Sequence, residues 1–331
     1  MVYNFEIRQF KFNTPSYLLL QGKVVSSSEF FENDCNLRDM TKKMISDTQI
    51  SEEMLHHFIK QALEEDIGDG DHTSLACIDK NDRSKAKLLV KDDCVLAGLE
   101  VGLHVFKIVD PTATIEVFKK DGDAVQYGDV AFIVACNSRA LLKAERLVLN
   151  TMQRMSGIAT MANRFKFEVE DLPVKILDTR KTTPLLRFLE KWAVALGGCQ
   201  NYRHGLYDRI MLKDNHIDAC GGIKEAIISV EKYQKANNLS LPITVEVRNL
   251  VELHKVLEVG KVDRIMLDNF EVPLLAEAVA TINNRFETEA SGGVNIYTVR
   301  EIAKTGVEYI SVGALTHSAQ SMDLSLKVIK E

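Results

Sequence analysis

Hydrophobic and polar positions along the chain follow one pattern in its first half and a different pattern in its second half. From Ser51 onward, apolar residues recur on one face of a helix, and Ser51 can cap that helix ahead of two glutamates. From Lys85 to about Ser138, apolar runs alternate with Gly-Asp turns, a pattern typical of a β-sandwich. A long helical pattern then runs roughly from Ser138 to Glu170. The first half therefore predicts a β-rich domain flanked by helices.

The second half repeats one unit, in which an apolar run closes on polar residues and a helical segment follows. The runs are residues 174–180, 208–215, 243–249, 264–269, 286–293 and 309–314. Strands that alternate with helices predict a parallel sheet, and runs of such similar length favour a barrel over an open sheet. Since no GxGxxG motif follows the first strand, a dinucleotide-binding site is disfavoured.

Composition narrows the class of protein. The chain has 331 residues, 46% of them hydrophobic and 27% charged, which is typical of a soluble protein of two domains. A net charge of −6 argues against a general nucleic-acid or membrane-surface binder, and no apolar run approaches the roughly 20 residues of a membrane helix. The 6 cysteines form no CxxC motif and no close pair with histidine, so we expect reduced thiols in a cytoplasmic protein, without a disulfide framework or a zinc site. The start of the chain lacks a secretory pattern, and its acidic residues do not suit a transit peptide.

Polar residues gather where the predicted barrel strands end. In successive strands these ends read Asp178-Thr179-Arg180-Lys181, Lys213-Asp214-Asn215, Glu246-Val247-Arg248, Asp268-Asn269, Ser291-Gly292-Gly293 and Gly313-Ala314. At any single end a salt bridge or a helix cap would explain such residues. All of them together predict a ligand site, because the carboxyl ends of barrel strands meet at one mouth.

The residue types at these ends indicate the ligand. Glycines on the last two strands let backbone N–H groups approach a phosphate, and arginine and lysine pair with phosphates or carboxylates. The acids Glu246 and Asp268 call for a cation, either Mg²⁺ or a carbon on which positive charge develops. This combination predicts phosphoribosyl transfer from phosphoribosyl pyrophosphate to a second, anionic substrate.

Longer motifs connect these residues to a known family. In chain order they include AERLVLNTMQRMSGIAT, DTRKTTPLLRFLEKWAVALGG, NYRHGLYDRIMLKDNHI, MLDN, EASGG and ISVGALTHS. On these motifs, about residues 51–331 resemble the quinolinate phosphoribosyltransferase family. The resemblance implies a decarboxylating pentosyltransferase of de novo NAD synthesis. It would convert quinolinate and phosphoribosyl pyrophosphate to nicotinate mononucleotide, pyrophosphate and CO₂, with Mg²⁺.

The resemblance also implies the fold, an α/β class with an N-terminal α/β sandwich domain and an α/β barrel of fewer than eight strands. We expect residues 51–160 to form the sandwich, 161–314 the barrel, and 315–331 to rejoin the sandwich. Residues 1–50 are interpreted as an N-terminal extension to which no role is assigned. The family pairs its subunits, so we expect a homodimer with shared sites, with further assembly to a hexamer left open.

Site residues carry over by motif. Those implied for quinolinate are Thr179, Arg180, Tyr202, Arg203 and Lys213, with Arg146 reaching in from the partner subunit. Those implied for phosphoribosyl pyrophosphate are Lys181, Glu246, Asp268, Ser291, Gly292, Gly293 and Gly313. Lys213, Glu246 and Asp268 are the expected catalytic residues, and Glu246 and Asp268 the expected Mg²⁺ ligands.

Two positions depart from the family pattern GGGxNHRxGL. Cys199 replaces a glycine, which would cost about 1 kcal/mol if the position required a positive φ. Tyr202 replaces a histidine, and its phenol can still donate a hydrogen bond to a carboxylate. His204 is a candidate to compensate. This departure puts the affinity for the substrate in question more than the type of reaction.

Several alternatives stay open. After decarboxylation the proton can come from Lys213 or from water, and a barrel lysine can also form a Schiff base, although the neighbouring cations favour anion binding. His216 and His317 can serve the site or cap helices. The chain can also be a phosphoribosyltransferase for another aromatic acid, such as nicotinate, or a barrel that has lost catalysis and acts as a binding subunit.

Overall fold

A computed structural model of the chain describes residues 50–329, almost all of them in one compact unit that runs from Glu53 to Glu331. The interpretation of residues 1–50 as an extension lies outside the described residues, apart from Ile50. Within the described range, helices α1 to α11 are Glu52–Ile67, His72–Cys77, Leu99–Val109, Ser138–Glu168, Arg187–Leu196, Asp214–Cys220, Ile223–Ala236, Leu250–Val259, Val272–Ile282, Val299–Ala303 and Ala314–His317. Strands β1 to β12 are Arg83–Val90, Cys94–Val95, Thr114–Val117, Ala124–Val125, Val130–Asn137, Lys175–Leu177, Ile210–Leu212, Ile243–Val247, Arg264–Asp268, Glu287–Ser291, Tyr309–Ser311 and Leu324–Val328.

The first half of the chain builds an antiparallel sheet with strand order β12-β1-β5-β3. Burial alternates along β1, so that Ala86, Leu88 and Val90 point into the core, as the pattern of apolar residues predicts. The long helix α4 begins where Asn137 accepts hydrogen bonds from the first helical amides, and it packs against α3 and β2. This part is a layer of helices on a sheet, and not the β-sandwich that the alternating pattern by itself indicates.

The last strand of the chain returns to this first sheet. Strand β12 pairs with β1 in antiparallel register, with Leu326 opposite Leu88. The residues between β11 and β12 therefore lead from the barrel back to the N-terminal sheet.

The second half forms a parallel sheet of six strands in the order β6-β11-β10-β9-β8-β7. A parallel bridge between Leu177 and Gln200 extends the pairing beyond β6 toward the segment that leads into β7. With helices between the strands, this is the predicted α/β barrel of fewer than eight strands, and the prediction of the fold class is confirmed.

The register of the strands sets which side chains share the inner face. Glu246 on β8 lies opposite Met266 on β9, and Asp268, two residues further along β9, lies opposite Ser291 on β10. Because side chains alternate along a strand, these residues point to the same face of the sheet. The carboxyl ends of the six strands, which we call the mouth, therefore carry the polar residues together.

Candidate functional site

The first polar residue after β6 is not part of the mouth. Asp178 is completely buried and accepts hydrogen bonds from Lys191 Nζ at 2.5 Å and from the Tyr202 amide at 2.8 Å. With the Asn201 side-chain amide oriented so that its nitrogen faces the carboxylate, it also donates to Asp178 at 2.7 Å. Burial raises the pKa of Asp178 to about 6 and lowers the pKa of Lys191. The strand-end pattern placed Asp178 with the ligand-facing residues, whereas the structure shows a buried ion pair that holds α5 and the 199–203 segment to β6.

Two arginines beyond Asp178 lie near each other without carboxylate partners. Arg180 is half-buried, and its Nε has no hydrogen-bond partner among the described residues although it is shielded from solvent. Burial lowers the pKa of the Arg203 guanidinium, and the charge of Arg180 lowers it further. Neither arginine has a carboxylate within 4 Å in the described part of the chain. Two guanidinium groups in this state can bind an anion, because buried charges are normally paired.

Lys213 and two acids occupy the adjacent part of the mouth. Lys213 Nζ is 3.7 Å from Glu246 Oε2, and the lysine side chain is 46% exposed, so the ion pair leaves room for a ligand. Burial raises the pKa of Glu246, Lys213 lowers it, and the negative charge of Asp268 raises it again. The strand register thus brings together the three residues predicted to be catalytic.

His216 holds the backbone of Lys213 in place. The Lys213 backbone amide donates to His216 Nδ1 at 3.1 Å, and Lys213 stands at the N-terminal cap of α6. The structure shows this histidine in a capping role, one of the two roles that the sequence leaves open. Arg248 on the neighbouring loop also has a structural role, because it forms ion pairs with Asp218 and Glu252.

The glycines of the last two barrel strands leave space for close contacts. A Cβ on Gly292, which has φ +95°, would lie 2.1 Å from Asn269 Oδ1 and 2.9 Å from the Asn269 backbone nitrogen, so another residue there would be strained and would displace Asn269. A Cβ on Gly313 would lie 3.0 Å from His317 Nε2 and 3.1 Å from Lys181 Cδ. Lys181 and His317 therefore lie beside Gly313 at the mouth.

The remaining predicted residues have more varied places. Thr179 Oγ1 accepts a hydrogen bond from the Lys181 amide at 3.1 Å, which shapes the loop after β6. Ser291 and Gly293 lie at the carboxyl end of β10, next to Gly292. Arg146 is exposed on α4, and among the described residues no hydrogen bond or ion pair connects it to the mouth.

Tyr202 lies in the wall of the barrel beneath the mouth. Its side chain packs with Leu177, Met211 and Met266, and its hydroxyl is 2.9 Å from Thr244 Oγ1. We expected this hydroxyl to face a substrate carboxylate, whereas in the structure it is already hydrogen-bonded inside the barrel.

The condition for backbone strain at Cys199 is not met. Its φ is not positive, and the residue in the left-handed conformation is the preceding Gly198, with φ +88°. Cys199 is buried, and its Sγ donates to the carbonyl oxygen of Ala162 on α4 at 3.2 Å.

Sequence reasoning missed two buried polar groups that support the site. Inside the barrel, Arg264 bonds to Glu287 and Glu289, and Ser311 Oγ donates to Glu289 at 2.5 Å. The signal was weak, since Arg264 begins a strand that is otherwise mainly apolar, whereas β10, with the sequence ETEAS, is polar at four of its five positions. At the edge of the barrel, Arg154 on α4 bonds to the buried Glu190 on α5, which helical periodicity alone does not reveal.

Within residues 50–329, no helix combines the length and the apolar character that crossing a membrane requires.

Comparisons with known proteins agree with this architecture. A family model described as quinolinate phosphoribosyl transferase, C-terminal domain, matches residues 158–327, and the model of the N-terminal domain matches residues 71–156. The chain is 46% identical over 288 residues to quinolinate phosphoribosyltransferase [decarboxylating] 1b of Nicotiana tabacum, which covers 82% of each protein. It is 40% identical over 275 residues to the probable nicotinate-nucleotide pyrophosphorylase [carboxylating] of Bacillus subtilis, covering 83% of this chain and 92% of that protein.

A solved structure gives the same answer for the fold. The nicotinate-nucleotide pyrophosphorylase of Francisella tularensis superposes with a TM-score of 0.79 at 34% identity, covering 85% of this chain and 98% of that one. The two domain models, the relatives and the shared fold agree. This chain belongs to the quinolinate phosphoribosyltransferase family.

Proposed function

We propose that this chain is a decarboxylating phosphoribosyltransferase that converts quinolinate and phosphoribosyl pyrophosphate to nicotinate mononucleotide, pyrophosphate and CO₂. One observation carries the proposal: two arginines without carboxylate partners lie near each other, on the barrel edge that also carries Lys213, Glu246 and Asp268. The names of the relatives from Nicotiana tabacum and Bacillus subtilis support the same reaction. The product would enter de novo NAD biosynthesis.

The cations of the mouth would bind quinolinate. Arg180, Arg203 and Lys213 supply three positive groups, enough to pair with both carboxylates of a pyridine dicarboxylate. Thr179 shapes the same loop. Tyr202 would line the floor beneath the pyridine with its ring, since its hydroxyl is bonded to Thr244.

The opposite side of the mouth would bind phosphoribosyl pyrophosphate. Backbone amides around Gly292, Gly293 and Gly313 can approach phosphate oxygens, and Lys181 lies beside Gly313. Ser291, at the end of β10, adds a hydroxyl to the same edge.

Glu246 and Asp268 fit a magnesium site of a particular kind. Among the described residues, no group of three or more His, Cys, Asp or Glu side chains is arranged to hold a metal ion. Mg²⁺ is commonly held by one or two carboxylates together with substrate phosphates and water, and this pair supplies that number. When bound, Mg²⁺ would neutralise charge on the departing pyrophosphate.

The chain's own groups would then act in sequence. Glu246 and Asp268 stabilise positive charge on the anomeric carbon as its bond to pyrophosphate breaks and its bond to the pyridine nitrogen forms. The nitrogen becomes cationic, so the C2–CO₂ bond can break with its electron pair retained on C2. Lys213, whose side chain is half-exposed at the mouth, donates the proton that C2 requires.

A partner subunit would complete the site. Leu185, Leu206 and Tyr207 are 91%, 70% and 74% exposed on loops beside the mouth, and Arg187 joins these loops by donating to the His204 carbonyl oxygen at 2.8 Å. Exposed apolar residues of this size are typical of a surface that a second copy buries, and we propose a homodimer in which Arg146 enters the partner's mouth.

We also propose the cytoplasm as the compartment, although the names of relatives from Arabidopsis thaliana and Nicotiana tabacum describe them as chloroplastic or mitochondrial.

The decisive measurement is product formation by the purified chain with Mg²⁺. Quinolinate labelled at the C2 carboxylate should release labelled CO₂ and yield nicotinate mononucleotide in equal amounts, and nicotinate should yield little product.

Arg180→Ala should lower kcat/KM for quinolinate by at least about 100-fold, since a charged hydrogen bond is lost. Arg285→Ala is the control, because Arg285 bonds only to the carbonyl oxygens of Ile282 and Thr281 in the described structure, before β10. Product from nicotinate at equal efficiency, or none from either acid, would contradict the proposal.

A further inference from the structure

Arg154 on α4 makes an unusually large set of contacts beside the barrel mouth. Its Nε and Nη2 donate to Glu190 Oε1 at 3.1 and 2.9 Å. Its Nη2 also donates to the Thr316 carbonyl oxygen at 2.6 Å, and its Nη1 donates to that of Ala319 at 2.8 Å. One guanidinium group thus connects α4, α5 and the segment that follows β11.

Two of the three partners of Arg154, Thr316 and Glu190, continue to residues of the mouth. Thr316 is completely buried, and its Oγ1 donates to the Lys181 carbonyl oxygen at 2.8 Å, with the Gly313 carbonyl oxygen at 3.2 Å. Glu190, also buried, accepts hydrogen bonds from the amide and the hydroxyl of Thr183 at 3.1 and 2.8 Å. The loop after β6 and the turn after β11 are therefore held together from below by the same group.

These contacts fix the backbone of Lys181 and so the point from which its side chain extends. Lys181 Cδ lies 3.1 Å from the position that a Cβ on Gly313 would take, so the lysine stem runs along the Gly313 backbone. A lysine has several rotatable bonds, and a loop at a barrel mouth is free to move unless its backbone is held. Fixing the Lys181 carbonyl group limits the positions that its ammonium can reach.

We propose that Arg154 and Thr316 are positioning residues for phosphoribosyl pyrophosphate, because they hold the Lys181 backbone against the Gly313 turn. The inference rests on the proposed function. It goes beyond that function by assigning the binding of one substrate to residues that do not touch it. Holding the loop in advance removes an ordering cost that substrate binding would otherwise carry.

The effect should be selective for one substrate. Lys213 and Arg203 are held by other contacts, namely the His216 side chain and the Arg209 carbonyl oxygen. Arg180 precedes Lys181 on the same loop, but its carbonyl oxygen is held separately, by the Thr182 amide at 2.9 Å and Arg187 Nη2 at 3.5 Å. A change at Thr316 therefore disturbs the phosphate side of the mouth and leaves the contacts that hold the quinolinate-side cations in place.

Thr316→Val is the main test, because valine has the shape of threonine without the hydroxyl. We expect the KM for phosphoribosyl pyrophosphate to rise about five- to tenfold, the effect of one lost hydrogen bond, with the KM for quinolinate changed less than about twofold. Thr316→Ser should restore the KM for phosphoribosyl pyrophosphate to near the wild-type value. The matched control is Thr160→Val on α4, which removes a buried hydroxyl bonded to the Val95 amide and the Ser156 carbonyl oxygen, away from the mouth. It should lower the thermal midpoint without changing either KM.

A second variant tests the arginine itself. Arg154→Met alone would leave Glu190 buried and unpaired, so it is combined with Glu190→Gln. The double variant should show the same selective rise in the KM for phosphoribosyl pyrophosphate.

The outcomes separate the inference from the proposed function. A Thr316→Val enzyme whose two KM values are unchanged, or rise equally, would overturn the positioning role while the proposed function stands. A wild-type chain that forms no nicotinate mononucleotide would overturn the proposed function, and this inference with it.

Discussion

At the scale of single residues, burial divides two carboxylates that the sequence places in equivalent positions. Asp178 directly follows strand β6, Glu246 lies near the end of strand β8, and each has a lysine nearby. Asp178 is buried with Lys191 at 2.5 Å, whereas Glu246 lies 3.7 Å from a half-exposed Lys213. The first pair therefore holds the fold, and the second remains available to a ligand.

The Lys191–Asp178 pair gives a prediction about stability. Lys191→Met removes the only lysine partner of Asp178 in the described structure and leaves a buried carboxylate, which should cost about 3–5 kcal/mol of unfolding free energy. Urea denaturation followed by circular dichroism would measure it. Adding Asp178→Asn to this variant removes the unpaired charge, so more than half of the loss should be recovered. A single variant as stable as the wild type would show that the pair contributes little.

Lys213 gives a prediction about catalysis. Lys213→Ala removes both a cation for quinolinate and the proposed proton donor, so kcat should fall by about 100-fold or more, the usual range for general acid catalysis. Lys213→Arg keeps the positive charge but cannot readily give up a proton, so it should restore the KM for quinolinate more than kcat. Steady-state kinetics with CO₂ release as the readout would separate the two effects, and full activity of Lys213→Ala would contradict its role.

At the scale of elements, the ends of helices and strands are held by residues distant in sequence. Helix α3 begins after Gly98, which has no side chain to cap it. Asp121 from the turn before β4 instead accepts hydrogen bonds from the amides of Leu99 and Glu100 at 2.9 and 3.1 Å. A carboxylate at this helix end suits the positive end of the helix dipole.

Asp121 makes the stability of this helix dependent on pH. Burial raises the pKa of Asp121 from 3.8 to about 7 in the folded protein. The folded state therefore holds the proton more tightly than the unfolded state, and this contribution to stability is full below pH 3.8 and lost as pH rises through about 7. Asp121→Asn cannot titrate, so its unfolding free energy should decline less between pH 5 and 8, as measured by urea denaturation at each pH. Parallel curves for the variant and the wild type would contradict this assignment.

Gly292 gives the second prediction at this scale. Gly292→Ala places a Cβ 2.1 Å from Asn269 Oδ1 and 2.9 Å from the Asn269 backbone nitrogen at φ +95°, so Asn269 or the end of β10 must shift. We expect a loss of about 2–3 kcal/mol in stability and a rise in the KM for phosphoribosyl pyrophosphate. Gly306→Ala is the control, because it has φ +86° and its nearest neighbour is 3.9 Å away, so it should cost only the backbone strain of about 1 kcal/mol. Equal losses for the two variants would show that the contact with Asn269 is unimportant.

At the scale of the whole molecule, the barrel and the N-terminal sheet depend on each other through the path of the chain. Strand β12 returns to β1, and Arg154 on α4 reaches the loops of the mouth. The proposed dimer extends this dependence to a second copy, since Arg146 is exposed on α4 and, among the described residues, no hydrogen bond or ion pair connects it to its own mouth.

The shared site can be tested by mixing inactive variants. Arg146→Ala and Lys213→Ala should each be inactive alone, and subunit exchange should form dimers in which one of the two sites has both residues intact. The mixture should recover about a quarter of the wild-type activity, the share expected from random pairing of equal amounts. Recovery should fail if each chain completes its own site, and light scattering would confirm that dimers are present.

The sequence by itself determined where the barrel strands lie, which of their ends carry polar residues, and which family the chain resembles. Apolar runs that close on polar residues are local signals, so the barrel strands and the helix from Ser138 were predictable to within a few residues. Arg180, Lys213, Glu246 and Asp268 could be chosen because the carboxyl ends of parallel strands must meet at one edge.

The tertiary structure alone decided which of these polar groups are buried in pairs inside the protein and which lie at the mouth. Asp178 is removed from the mouth by Lys191, a helix residue whose burial no periodicity indicates, and the Tyr202 hydroxyl is taken up by Thr244 on another strand. The contacts of Arg154 join residues far apart along the chain. A hydrogen bond or an ion pair between such residues depends on distance in space, and the spacing of residues along a chain carries no direct record of that distance.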